Sequence, residues 1–228
     1  GLLRIKSETE ADDLSRKSPE KSVSSDLKPP KNTQSAICTG YATDETEEFL
    51  PLSYSLACNL ISKLDECHKN NTLPWLGPDR SAQVTLDYET DPKTNRLKPT
   101  RVHTVLLRVQ HSPEVSINEL EKQILENVLT KSIPQKFIDP DTKFIINPEG
   151  TFTIGGPSRC SGMSQKKICS ETYGGWILSN SGGLSGKDGN SLERSGSYQA
   201  RLVAKSLVKN GFCARCWVQL VWYAGQDE

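Results

Sequence analysis

The amino-acid sequence predicts an α+β protein, in which strand pairs and helices occupy separate layers. Helical periodicity appears in three segments, which start near Pro51, Ile117 and Leu192. Two alternating segments, 83–88 and 100–110, are separated by a stretch rich in turn-forming residues. Because antiparallel strands can be joined by a short turn, we expect these two segments to form a hairpin.

The first two predicted helices have clear start signals. Pro51 suits a first helical turn because its nitrogen needs no hydrogen-bond partner there, and this helix ends near Asn70. Its apolar face consists of Leu52, Leu56, Leu60, Ile61 and Leu64. The second helix follows a capping box formed by Ser116 and Glu119. Its apolar face consists of Ile117, Leu120, Ile124 and Val128.

The remaining predicted elements are three strands and one helix. Short strands are expected at 144–146 and 151–154, on either side of a Pro-Glu-Gly turn. A helix is expected over 192–209, because Gly211 supplies a stop signal. The apolar run 216–223 is typical of a buried strand. Its place at the end of the sequence suggests truncation, or an edge that a partner covers.

The overall composition excludes several classes of protein. The chain has 228 residues, and its 28 basic and 28 acidic side chains give zero net charge. A neutral chain argues against binding nucleic acid by bulk electrostatics. No apolar run reaches the ~20 residues that span a bilayer, and the first residues lack the apolar stretch of a signal peptide. We therefore expect no membrane partner and a cytosolic (cytoplasmic) location.

Residues 1–36 explain why hydrophobic residues make up only 35% of the chain. This segment carries 13 charged residues, three prolines and no aromatic residue. Such a composition cannot bury enough apolar surface to offset the entropy lost on ordering. We therefore predict a disordered tail over 1–36.

The seven cysteines are scattered, and an odd number does not form a regular disulfide framework. Cys213 and Cys216 form a single CxxC pair, whereas a structural zinc site needs a second pair. The pair precedes an apolar strand and not a strand-to-helix turn, which argues against a redox motif. We therefore expect reduced thiols, as is usual in the cytosol.

The glycine-rich region around Lys187 is the main candidate for a binding site. Glycines let backbone N–H groups approach a ligand, and Lys187 lies shortly before the third predicted helix. Backbone donors, a helix N-terminus and a lysine together suit phosphate oxygens. Asp188 stands where a Walker A motif requires Ser or Thr, so this is not a P-loop. A flexible surface loop with a solvated lysine is the alternative interpretation.

Other charged residues are candidates for the same site. Lys166 and Lys167 are adjacent cations that either converge with Lys187 on a polyphosphate or form a solvated surface pair. Glu193 lies near a helix start, where it either compensates the helix dipole or reaches Mg²⁺ beside a bound phosphate. Asp79 is an ordinary turn residue unless its loop faces this site.

Eight short motifs follow one another along the chain. They are GYATDETEE (40–48), TLPWL (72–76), QVT (83–85), RVHT (101–104), IGGP (154–157), TYGGW (172–176), SGKD (185–188) and VAKSLV (203–208). On these motifs the chain resembles the S-adenosylmethionine synthase (methionine adenosyltransferase) family, closest to the animal-type catalytic subunit, from about residue 40 to 225.

The resemblance implies a fold of three α+β domains with pseudo-threefold symmetry. Residues 37–157 would form the central domain and residues 158–228 part of the C-terminal domain, without a counterpart of the family's N-terminal domain. The family joins the sulfur of methionine to C5′ of ATP and cleaves the released triphosphate. It uses Mg²⁺ and K⁺, and its sites lie between two subunits. The implied partners are therefore ATP, methionine and synthase subunits, in a homo- or hetero-oligomer.

The resemblance also carries over site residues. It implies that ATP is contacted by Asp79, Phe152, Lys167, Lys187 and Asp188. Lys166, Lys167 and Lys187 would be the catalytic cations around the triphosphate leaving group, and Glu193 would be a metal ligand.

Several family site residues are replaced in this chain. The replacements are Gln34 and Cys160 for carboxylates, Ser81 and Ser191 for lysines, Thr151 for an arginine and Ser179 for a histidine. Because each lost charge weakens a polyphosphate site, we expect turnover by this chain alone to be impaired. Two alternatives are a non-catalytic relative that binds and modulates a full-length synthase subunit, and a non-functional truncated product.

Overall fold

A computed structural model of the protein describes residues 35–159, 168–178 and 183–224. Nearly all of the predicted tail 1–36 therefore lies outside the described residues. The same is true of Lys166 and Lys167, two of the three predicted catalytic cations.

The described residues form ten regular elements, with a π-helical turn at Leu125–Leu129. In chain order they are β1 (Ala36–Thr43), α1 (Leu52–Lys69), β2 (Leu76–Thr90), β3 (Leu97–His111), α2 (Ile117–Ile124), α3 (Thr130–Ser132), β4 (Lys143–Ile146), α4 (Ile168–Tyr173), α5 (Leu192–Lys209) and β5 (Arg215–Trp222). The α+β prediction is confirmed. Within the described ranges, no helix combines the length and the apolar character needed to cross a membrane.

The larger sheet contains the predicted hairpin. β2 pairs antiparallel with β3, and β4 pairs parallel with β3 on its other side. One face of this sheet is apolar and packs against α1 and the helical segment that follows β3. The largest fully buried side chains of this core are Leu60, Leu64, Leu73, Leu107, Leu120, Ile124 and Leu129. Leu60, Leu64, Leu120 and Ile124 lie on the predicted helix faces, whereas Leu73, Leu107 and Leu129 lie outside them.

The smaller sheet pairs β1 with β5 in antiparallel register, from Ala36 opposite Trp222 to Thr43 opposite Arg215. α5 crosses this sheet and buries its small residues Ala200 and Ala204 against it. The approach is so close that a Cβ at Gly40 would lie 2.2 Å from the backbone carbon of Ala200. Glycine at this position therefore allows the helix to touch the strand.

Several details differ from the expectations. The strand β1 was not predicted, and it begins at Ala36, which the predicted tail included. The predicted strand at 151–154 is wrong, because the backbone N–H of Phe152 donates to the imidazole Nε2 of His111 at 3.0 Å and not to a backbone carbonyl of β3. The predicted second helix changes to a π-helical turn at Leu125–Leu129. Its capping side chain is as predicted, since Ser116 Oγ accepts from the N–H of Glu119.

Candidate functional site

The loop before α5 holds Lys187, and the structure pairs this lysine with an acidic side chain of the helix. The Lys187 ammonium forms an ion pair with the Glu193 carboxylate in the first turn of α5. The Arg194 guanidinium donates a hydrogen bond to the carbonyl oxygen of Lys187. The Lys187 side chain is 27% exposed, so a ligand can reach it. The predicted phosphate-binding cation is therefore accessible but neutralised by its neighbour.

Asp188 is used to shape the turn that leads into α5. Its Oδ1 accepts from the backbone N–H groups of Asn190 at 3.0 Å and Ser191 at 3.1 Å. This is the arrangement by which Asp starts a turn or caps a helix. The Asp188 side chain is exposed, but the two backbone bonds hold it toward its own loop. Its described role is therefore to position Lys187 and the first turn of the helix.

The start of α5 is fixed to the smaller sheet through Cys38 of β1. The Cys38 thiol donates to the backbone carbonyls of Leu192 at 3.5 Å and Glu193 at 3.6 Å. Burial raises the pKa of this thiol, while a hydrogen bond with Ser197 and the charge of Lys187 act in the opposite direction. The thiol is therefore a structural contact beneath the Lys187 loop.

A second group of predicted residues comes together around Asp79. Asp79 Oδ2 accepts from the backbone N–H of Gly156 at 2.9 Å. The Gln110 side chain bridges the same two segments, because its Oε1 accepts from the N–H of Asp79 and its Nε2 donates to the carbonyl of Thr153. The start of β2, which carries Asp79, thus faces the segment after Phe152, and Asp79 is a strand residue and not the loop residue that the sequence predicted.

Phe152 is 9% exposed and lies beneath two arginines. The Arg159 guanidinium carbon lies 4.3 Å from the ring centroid and that of Arg108 lies 6.0 Å from it. Both arginines pair with the Glu149 carboxylate, at 3.1 Å and 2.8 Å. A planar ligand that stacks on Phe152 must therefore either displace Arg159 or bind next to it.

Sequence reasoning missed Arg108, Gln110 and Arg159. Arg108 and Gln110 alternate with the buried Val109 along β3, so they follow the polar face of the strand. That alternation was available in the sequence, but nothing in it showed that this face meets the segment 152–159. Arg159 lacked any such periodic signal.

The best-connected buried carboxylate in the described chain belongs to Glu45, in the turn after β1. Its side chain is 2% exposed. It accepts hydrogen bonds from Tyr88 Oη at 2.8 Å, the N–H of Leu52 at 2.9 Å, Arg215 Nη2 at 2.8 Å and Thr43 Oγ1 at 3.2 Å. Burial, together with the negative charge of Glu45, raises the pKa of Tyr88. Glu45 thus joins both sheets to the first turn of α1.

Arg215 extends this network to the glycine-rich region. Its guanidinium carbon lies 4.8 Å from the Trp176 ring and 5.7 Å from the Tyr88 ring. The two rings meet edge to face with centroids 5.3 Å apart. The Trp176 indole N–H also donates to Ser53 Oγ at 3.4 Å. The segment that ends in Trp176 is therefore held against both sheets.

The described residues do not fit a metal centre of their own. They contain no group of three or more His, Cys, Asp or Glu side chains that could hold an ion. Glu193, the predicted metal ligand, is paired with Lys187. Mg²⁺ normally needs one or two free carboxylates together with substrate phosphates. No step involving Mg²⁺ or K⁺ is therefore assigned to these residues.

The chain matches two protein-family models, which together cover both sheets. The model of the S-adenosylmethionine synthetase central domain matches residues 32–152, and the model of the C-terminal domain matches residues 154–228. The first match contains β1 and the second contains its pairing partner β5. Strand pairing therefore connects the two matched regions.

Proposed function

Because the chain belongs to the S-adenosylmethionine synthetase family, we propose that it takes part in synthesis of S-adenosylmethionine from ATP and methionine. The observation that carries this proposal is the position of Lys187. Its ammonium group lies at the first turn of an 18-residue helix, where backbone N–H groups and the helix dipole favour an anion. A triphosphate leaving group has the charge that such a position attracts.

The proposed role of Lys187 is to bind phosphate oxygens, together with Lys166 and Lys167. A lysine acts there as a point charge that stabilises the negative charge on the leaving triphosphate. Phe152 and Asp79 are proposed to contact the nucleoside part of ATP, since Gln110 and Gly156 already bring their two segments together. Asp188 supports the site indirectly, through the turn that presents Lys187.

We further propose that this chain, acting alone, turns over poorly. Lys187 is neutralised by Glu193, and family lysines are replaced by Ser81 and Ser191. Loss of one preorganised charge contact typically costs ~3 kcal/mol of transition-state stabilisation. Several such losses act as a unit and are not additive, but they all lower the rate.

The test of phosphate binding uses inorganic triphosphate and isothermal titration calorimetry on the whole chain. Lys187→Met should weaken binding at least ~10-fold, because a charge-assisted hydrogen bond contributes ~1.5–3 kcal/mol. Glu193→Gln should tighten binding, since it releases the Lys187 ammonium group. Lys209→Met, at the exposed far end of the same helix, is the matched control and should change nothing. Equal affinities in all four proteins would refute the assignment of Lys187.

A second candidate function is that of a non-catalytic subunit that binds and modulates a full-length synthase. One face of the smaller sheet favours it, because Ile37, Trp217 and Val221 are 44%, 38% and 45% exposed there. The register places Ile37 directly opposite Val221, and the exposed Gln219 separates this pair from Trp217 on the same face. Exposed apolar surface of this kind often marks a protein–protein contact.

One assay separates the two functions. The purified chain is incubated with ATP, methionine, Mg²⁺ and K⁺, with and without a full-length synthase subunit, and S-adenosylmethionine is quantified by mass spectrometry. Product from the chain alone at an ordinary enzymatic rate supports the first function and refutes impaired turnover. The second function is supported if the chain changes the rate of the full-length subunit and the Trp217→Ser variant of the chain does not. No association and no product would contradict both.

A further inference from the structure

The end of β3 holds Phe152 in a fixed place. The backbone N–H of His111 donates to the carbonyl oxygen of Phe152 at 2.9 Å, and the His111 imidazole accepts the N–H of Phe152 at 3.0 Å. His111 is itself buried, so both bonds are sheltered from water. Gln110 adds a third contact, from its side-chain amide to the carbonyl oxygen of Thr153. The backbone that carries the Phe152 ring is therefore well anchored.

Arg159 covers this anchored ring through contacts that are open to water. Its guanidinium carbon lies 4.3 Å from the ring centroid, well within cation–π range, whereas that of Arg108 lies 6.0 Å away. The Glu149 carboxylate pairs with the Arg159 guanidinium at 3.1 Å, and both side chains are exposed. Surface ion pairs and exposed cation–π contacts are each weak. The Arg159 side chain can therefore leave the ring without disturbing the fold.

We propose that Arg159 competes with a purine base for the face of Phe152, and that Glu149 holds Arg159 in that place. This inference rests on the proposed contact between Phe152 and the nucleoside part of ATP. A guanidinium group and a purine base are both planar, and both stack on aromatic rings. The two therefore need the same surface, and Arg159 lowers the affinity of this chain for a nucleoside.

The size of the effect follows from the two contacts that hold Arg159. An exposed cation–π contact and a surface ion pair together favour the covered ring over the open ring ~3–10-fold. A ligand that needs the open ring binds less tightly by about the same factor. Removal of the Arg159 guanidinium should recover that affinity, and removal of the Glu149 charge should recover part of it.

The test titrates adenosine into the whole chain and measures the dissociation constant by ligand-observed NMR. Adenosine is neutral, so a change in the net charge of the protein has little effect on its binding. Arg159→Ala should lower the dissociation constant ~3–10-fold. Glu149→Gln should lower it by a smaller factor, because the cation–π contact remains. Arg96→Ala, which removes an exposed arginine between β2 and β3, is the matched control and should change nothing.

A second set of variants tests whether the effect depends on the aromatic ring. Phe152→Leu keeps most of the apolar volume but removes the stacking face, so it should weaken adenosine binding. The double variant Phe152→Leu/Arg159→Ala should bind adenosine no more tightly than Phe152→Leu, because there is no ring left to uncover. Thermal unfolding followed by circular dichroism shows whether each variant is folded at the temperature of the titration.

The outcomes distinguish this inference from the proposed function. If Phe152→Leu weakens adenosine binding but Arg159→Ala equals the wild type, competition is refuted and the nucleoside contact stands. A gain in Arg159→Ala that persists in the Phe152→Leu background also refutes competition, because it does not act through the ring. If adenosine binds to none of the proteins, or binds equally with and without the Phe152 ring, the proposed nucleoside contact fails and this inference fails with it.

Discussion

Removal of the buried Glu45 carboxylate tests whether one side chain holds the two sheets together. Glu45→Ala leaves Arg215 without its partner and frees the Tyr88 hydroxyl and the Leu52 N–H. Breaking a buried ion pair from one side costs ~3–5 kcal/mol. The Arg215 side chain is 21% exposed, so water recovers part of that loss. We therefore expect the free energy of unfolding to fall by ~3 kcal/mol, toward the low end of that range.

The assay is urea unfolding followed by circular dichroism, with thermal unfolding as a second measurement. A loss of ~3 kcal/mol should lower the melting temperature by ~6–12 °C in a chain of this size. Glu66→Ala is the matched control, because it removes a glutamate whose side chain is 54% exposed and pairs with Lys63 on the surface of α1. That change should cost at most ~0.5 kcal/mol.

A double-mutant cycle completes the argument about Glu45. The double variant Glu45→Ala/Arg215→Ala should be less destabilised than the sum of the single variants, because it removes the stranded charge as well. If the free energy of unfolding of Glu45→Ala lies within ~0.5 kcal/mol of that of the Glu66→Ala control, the reasoning is refuted and the network does not stabilise the fold.

Three further predictions concern separate parts of the fold. The hydrogen bond from Arg101 lowers the pKa of Asp139 to about 2. The pair therefore stabilises the protein above pH ~4 and loses this effect as the pH falls toward 2. In urea unfolding across this range, the free energy of unfolding should fall less with decreasing pH in Asp139→Asn than in the wild type. Gly40→Ala should lower the free energy of unfolding by ~3 kcal/mol or more, because its Cβ would meet the α5 backbone. Gly189→Ala should be neutral in the same measurement, because a Cβ there meets nothing within 4 Å. Thr39 Oγ1 is buried with no hydrogen-bond partner among the described residues, so Thr39→Val should raise the melting temperature, and a fall would contradict that reading.

Local pattern was enough to predict most of the elements. The α1 leucines repeat at helical spacing, and the 91–95 turn signals stand between two alternating segments. These signals depend only on residues close in sequence, which is why the helices and the hairpin were confirmed. The strand predicted at 151–154 failed because Phe152 takes a side-chain partner, His111, from a distant part of the chain.

The candidate site was less predictable, because its geometry depends on long-range contacts. The sequence showed that Lys187 lies before a helix, but not that Glu193 turns back to pair with it. It also gave Glu45 no special status among several acidic neighbours, since burial and partners emerge only when β1, β2 and β5 come together. The predicted contacts with ATP stay predictions for the same reason.

The pairing of β1 with β5 has a consequence for the order of folding. Partner residues in this sheet are about 170–190 positions apart along the chain, whereas the β2–β3 hairpin closes across a short turn. Closing so long a loop is entropically costly and slow. The hairpin and α1 should therefore form first, and the backbone N–H and C=O groups of β1 stay unpaired until β5 has left the ribosome. During synthesis, unpaired β1 is therefore the segment that most needs a chaperone.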